Sequence, residues 1–138
     1  HCWRLDSAEA KAHLEKQKSW PLFWNDEIKG ENIVDIQDFG DVVLARKETP
    51  TSYHLSVTVD DALQGITHVI RGEDLFEATH IHCFLQALLG LATPKYTHHK
   101  LLRDKDGKRF AKRDKAKTIK SMRESGVTRE ELLKQIMD

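Results

Sequence analysis

The stretch VDDALQGITHVIRGEDLFEATHIHCFLQALLG, Val59 to Gly90, sets the fold class of this chain. Its centre, ITHVI, is a short β-branched run that stops at Arg71-Gly72, the pattern of a buried strand about to turn into a helix. The helix that follows is the clearest element in the sequence. Ile81, Phe84, Leu85, Leu88 and Leu89 recur at helical spacing, Thr79 is placed to cap the start, and Gly90 followed by Pro94 ends it. With the apolar pair Leu101-Leu102 in a following strand, the three pieces make a βαβ unit and an α/β fold.

Working outward, YHLSVTVDDALQ is ambiguous. Its Val and Thr content favours a strand, whereas Leu55, Val59 and Leu63 recur at helical spacing. Before Pro50 the pattern is mostly β. Trp3-Arg4-Leu5-Asp6 alternates like a strand, Ser7 is placed to cap a helix over AEAKAHLEKQ with Ala8, Ala12 and Leu14 on one side, and Pro21 breaks it. Leu22 to Lys47 then reads as strands separated by a Lys29-Gly30 turn and by Phe39-Gly40. Trp20, Phe23 and Trp24 are expected to cover a core. At the far end, Thr128 and Glu131 form a T-x-x-E capping box ahead of Leu132, Leu133, Ile136 and Met137.

The 138 residues, 39% of them hydrophobic, are enough for one domain or one domain and a small subdomain. No apolar run approaches the roughly 20 residues that span a bilayer, and HCWRLD lacks signal-peptide character. Cys2 and Cys83 are too few for a disulfide scaffold and show no CxxC spacing, so both are expected as reduced thiols. These features lead us to expect a cytoplasmic protein, without a membrane partner and monomeric.

The net charge is zero, yet it is unevenly placed. Residues 1–99 carry 9 Lys+Arg against 15 Asp+Glu, residues 100–120 carry 10 against 3, and residues 121–138 carry 3 against 4. The basic segment contains GKRFAKRD, Gly107 to Asp114, which suits phosphate but also suits a solvated surface loop. It is not a GxxxxGK[ST] P-loop.

Arg71 follows directly on a β-branched run, so it belongs at the carboxyl end of a strand, where open α/β sheets place ligands. Its planar fork can take a carboxylate through two N–H groups, or form a salt bridge with Glu73, Asp74 or Asp61. Tyr53 can present its hydroxyl to a ligand, or serve as a core ring with a wet tip. His80, His82, His98, His99 and Cys83 suggest a metal, but His80 and His82 point to different sides of a helix, so no shared ion is expected.

Taken together, SYHLSVTVDDALQGITHVIRGEDLFEATHIHCFLQALLG and THHKLLRDKDGKRFAKRD resemble the catalytic domain of class I glutamyl-tRNA synthetases, over about Trp3 to Val127. Within that family the resemblance is strongest to a shortened paralogue. The resemblance implies part of a Rossmann-type class I aminoacyl-tRNA synthetase catalytic domain. Residues 1–50 would be the later part of an inserted β-rich subdomain, and residues 51–138 the second half of the catalytic domain with its signature loop and short C-terminal helices.

It further implies ATP with magnesium and formation of glutamyl-adenylate. In the paralogue the glutamyl group passes to queuosine in the anticodon of tRNA(Asp); in an ordinary synthetase it passes to the tRNA 3′ end. Tyr53 and Arg71 match the residues that contact glutamate, and Lys112 the loop lysine that contacts ATP. Arg109, Phe110, Ala111, Lys112 and Arg113 match the KMSKS-type loop, with Lys112 and Arg109 in the catalytic role. The loop departs from the family pattern in Arg109 for the first lysine, Phe110 for methionine or leucine, and Ala111 for serine. The HIGH-like motif, the first glutamate-binding arginine and the zinc-binding cysteines all belong upstream of Trp3. The chain is therefore expected to be a fragment that cannot activate glutamate alone. A different class, a non-catalytic nucleic-acid-binding module built on the basic segment, stands as the alternative.

Overall fold

The computed structural model describes residues 1–103 and 118–137. The chain divides into two compact units, His1–His99 and Lys100–Asp138. In chain order the first contains β1 (Cys2–Leu5), α1 (Ser7–Lys16), β2 (Phe23–Asp26), β3 (Gly30–Ile33), β4 (Val42–Arg46), α2 (Tyr53–Leu63), β5 (His68–Gly72), α3 (Phe76–Leu89) and β6 (Lys95–His99). The second contains α4 (Ile119–Glu124) and α5 (Arg129–Met137).

β1 and β4 form an antiparallel ribbon with a bulge between Trp3 and Arg4. The other strands make one sheet in the order β3-β2-β6-β5. β2 and β3 are an antiparallel hairpin, whereas β6 runs parallel to both β2 and β5. β5, α3 and β6 are thus the anticipated βαβ unit.

Its third member is not where the apolar residues pointed. The strand is Lys95–His99, and Leu101-Leu102 follow it. KYTHH carries little apolar signal because its inward positions are Tyr96 and His98, both 2% exposed and both hydrogen-bonded. ITHVI also differs from expectation. β5 is a sheet edge, and Ile70 is 73% exposed.

Helix starts differ by similar local chemistry. Asp6, not Ser7, caps α1, its Oδ1 accepting from Glu9 N at 2.9 Å, where a carboxylate also complements the helix dipole. Ser7 donates instead to the Gly40 carbonyl at 2.8 Å. Leu14 faces the core as expected, but its buried companion is Ala10, one turn earlier, and Ala8 is exposed. α3 begins at Phe76, so Thr79 lies inside the helix, and Gly90 closes it at φ 66°, a conformation glycine adopts without steric cost. The ambiguous YHLSVTVDDAL is helical, capped by Ser52, whose Oγ accepts from Leu55 N at 3.2 Å.

One face of the sheet carries the core. Side chains two residues apart on a strand share a face, which puts Trp24 and Asp26 with Tyr96 and His98. Val69 and Arg71 join them, since they pair in register with Tyr96 and His98. Trp24, Tyr96, Cys83 and Phe84 pack in one buried cluster with Ala10, Leu14, Val34 and Ile36. Trp24 is buried there and Trp20 packs at its margin, while Phe23 points the other way and is 50% exposed.

In the second unit, Thr118 caps α4 and the Thr128–Glu131 box caps α5. Thr128 N donates to Glu131 Oε2 at 2.9 Å while Glu131 N donates to Thr128 Oγ1 at 3.2 Å.

Candidate functional site

Arg71 sits near the end of β5, opposite His98 on β6. Its Nε donates to His98 Nε2 at 3.1 Å, one terminal nitrogen contacts His82 Nδ1 at 3.1 Å, and the other donates to Thr79 Oγ1 at 2.5 Å. The guanidinium also lies 5.2 Å from the centre of the Tyr96 ring. Thr79 and His82 are three residues apart on α3, so both reach the same strand end. No Asp or Glu among the described residues lies within salt-bridge distance of Arg71. The salt bridge considered from sequence is replaced by uncharged partners.

Behind His98 stands Asp26, 1% exposed. Asp26 Oδ2 lies 2.6 Å from His98 Nδ1 and accepts from His98 N at 3.1 Å. Its Oδ1 accepts from Ile28 N at 2.9 Å and Lys29 N at 2.8 Å, which shapes the β2–β3 turn. Four donors on two oxygens require an ionised carboxylate. Burial alone would raise the Asp26 pKa, but the His98 side chain and the Lys29 and Ile28 N–H groups outweigh it and lower the value.

On the other side, His82 Nε2 meets His54 Nδ1 at 3.0 Å. Burial first, then the charges of Arg71 and His54, push His82 down to about 3. Burial also lowers His54, helped by Arg71, and lowers His98, where the hydrogen bond to Asp26 works in the opposite direction. These imidazoles are neutral near pH 7, as His82 and His98 must be to accept from an arginine.

Tyr53, the first residue of α2, places its ring centre 5.7 Å from that of His82 and 5.6 Å from that of His54. It is 52% exposed, so the core-ring alternative does not hold. His82 thus joins Tyr53 and Arg71 in one site. Tyr53 and His54 also line a cavity of about 580 Å³ with Arg4, Asp41, Arg46 and Ser52.

The site contains residues that the sequence did not single out for this role: Asp26, His54, Thr79, His82 and His98. The available signal was alternation, Trp24 with Asp26 and Tyr96 with His98. His80 faces away from Arg71, accepting from Asp35 N through Nδ1 at 3.1 Å and packing on Trp24. Among the described residues no group of three His, Cys, Asp or Glu could hold a metal ion. Arg109, Phe110, Ala111, Lys112 and Arg113 lie outside the described residues.

The profile of the family described as "tRNA synthetases class I (E and Q), catalytic domain" matches residues 7–137. The chain belongs to that family. It is 53% identical over 125 residues to a glutamyl-Q tRNA(Asp) synthetase of Rhodobacter capsulatus, covering 91% of this chain and 44% of that protein. It is 38% identical over 111 residues to a glutamate–tRNA ligase of Aquifex aeolicus, covering 80% of this chain and 24% of that one. Among solved structures, the glutamate tRNA ligase of Elizabethkingia meningosepticum in complex with its amino acid matches with a TM-score of 0.59 and 27% identity, over 86% of this chain and 25% of that chain. The parallel β5-α3-β6 unit is accordingly part of a Rossmann-type class I catalytic domain, and the chain spans less than half the length of these synthetase relatives.

Proposed function

We propose that the complete protein activates glutamate with ATP and transfers it to queuosine in the anticodon of tRNA(Asp), with these residues forming the later part of its catalytic domain. The observation that carries this is the Arg71 cation, held by uncharged groups at a strand end, in a chain 53% identical to a glutamyl-Q tRNA(Asp) synthetase. Arg71, with the hydroxyl of the half-exposed Tyr53, binds a glutamate carboxylate by charge-assisted hydrogen bonds. Lys112 and Arg109 stabilise the charge that builds on the α-phosphate and the departing pyrophosphate, acting by position and electrostatics. ATP enters with magnesium as its substrate complex, and zinc belongs to the region upstream of Trp3. In this reading the 138 residues alone do not activate glutamate, and the complete protein is cytoplasmic and monomeric.

A second reading, charging of the tRNA 3′ end, is favoured by the Aquifex aeolicus relative. Both readings share the adenylate step, which glutamate-dependent ATP–pyrophosphate exchange measures. Lys112→Ala in the complete protein should sharply slow exchange. Unchanged exchange, with only a shallower salt dependence of tRNA binding by about one counterion, would count against this role for Lys112, and absence of exchange by the wild-type complete protein would favour a nucleic-acid-binding module instead.

A further inference from the structure

Arginine has five N–H donors and no acceptor, so any imidazole nitrogen that bonds to it must present a lone pair. His98 Nε2 accepts from Arg71, which leaves the His98 proton on Nδ1, 2.6 Å from Asp26 Oδ2. His82 Nδ1 likewise accepts, so its proton sits on Nε2 and is donated to His54 Nδ1 at 3.0 Å. Thr79 Oγ1 accepts from Arg71, and its single proton is shared between the Leu75 carbonyl and His98 Nε2, both at 3.2 Å. The bonds therefore have one direction, outward from Arg71 along three branches. The His98 branch ends on the only group in the chain of contacts that is charged and buried, Asp26.

The count of donors then matters. Among the described residues, Nε and one N–H of each terminal nitrogen are taken, which leaves one N–H on each terminal nitrogen. Two N–H groups are what a carboxylate with two oxygens takes. Because His98, His82 and Thr79 are uncharged, they fix the guanidinium without neutralising it. A carboxylate in direct contact would have cancelled the charge that recruits the substrate. Asp26 is one imidazole removed, as carboxylates often stand behind a histidine that holds a charged centre.

We propose that His98, in the tautomer that Asp26 fixes, is a positioning residue that holds Arg71 ready for a carboxylate of the amino-acid substrate. The proposal rests on the assignment of Arg71 to glutamate. It adds what sets the guanidinium's orientation.

The test is glutamate-dependent ATP–pyrophosphate exchange by the complete protein, comparing His98→Leu, His98→Gln and Arg71→Lys. Leucine removes both bonds, and glutamine restores an acceptor for Arg71. His98→Leu should raise KM for glutamate roughly ten- to hundredfold, the range expected for loss of a hydrogen bond to a charged group, with KM for ATP unchanged. His98→Gln should recover part of that loss. If Arg71→Lys leaves KM for glutamate unchanged, the assignment of Arg71 falls and the proposal with it. If Arg71→Lys raises it but His98→Leu does not, or shifts both KM values equally, only the positioning role is overturned. Should His98→Leu fail to fold, nitrogen NMR of the wild-type complete protein decides. A His98 protonated on Nδ1 supports the proposal, and one protonated on Nε2 overturns it.

Discussion

Asp26 and His98 face each other across β2 and β6 at 2.6 Å, both fully buried, and His98 passes the contact to Arg71 at 3.1 Å. A buried carboxylate therefore stabilises the fold and the candidate site at once. Asparagine cannot replace it. Both Asp26 oxygens accept two donors, so an amide NH2 at either position would confront two N–H groups that need acceptors. Asp26→Asn should lower unfolding stability by about 3 kcal/mol, the scale for leaving buried partners unsatisfied, as measured by urea denaturation.

The buried histidines set the pH dependence. His82 has its folded pKa lowered to about 3 from 6.5, so the unfolded chain takes up the proton first as pH falls. Its contribution is complete above pH 6.5 and is lost progressively from there down to about pH 3. His54, His80 and His98 are lowered as well and act in the same direction. Asp26, also lowered, adds a second loss as pH falls below its ordinary 3.8. Denaturation midpoints should therefore decline steadily from pH 7 to pH 4. His82→Gln should reduce the slope by up to about 1.4 kcal/mol per pH unit.

Two thiols of opposite character give a simpler check. Cys2 is exposed, whereas Cys83 is 2% exposed and burial pushes its thiol up to about 12, partly countered by a hydrogen bond with Tyr96. Iodoacetamide at pH 8 should modify Cys2 quickly and Cys83 only as fast as the chain opens. Mass spectrometry after limited alkylation would show one adduct in buffer and two in denaturant.

Much of this architecture is legible in the sequence, because α3 shows full apolar periodicity and Arg71-Gly72 marks the end of β5. β6 was displaced by two apolar leucines because its inward residues are polar and pay their burial cost through hydrogen bonds. The edge position of β5 was equally hidden, since β-branched residues read as buried whether or not a neighbour covers them. At the candidate site, resemblance and strand position point to Arg71, and resemblance alone to Tyr53. Asp26 was not legible, because an aspartate before a Lys29-Gly30 turn reads as ordinary turn chemistry until β6 is placed beside it.

The complete protein is proposed to join glutamate to queuosine in tRNA(Asp). The direct measurement is to react it with labelled glutamate, ATP and tRNA(Asp), digest the product to nucleosides, and find which nucleoside carries the label. Label on queuosine is the expected result. Label on the 3′-terminal adenosine, with none on queuosine, would contradict it.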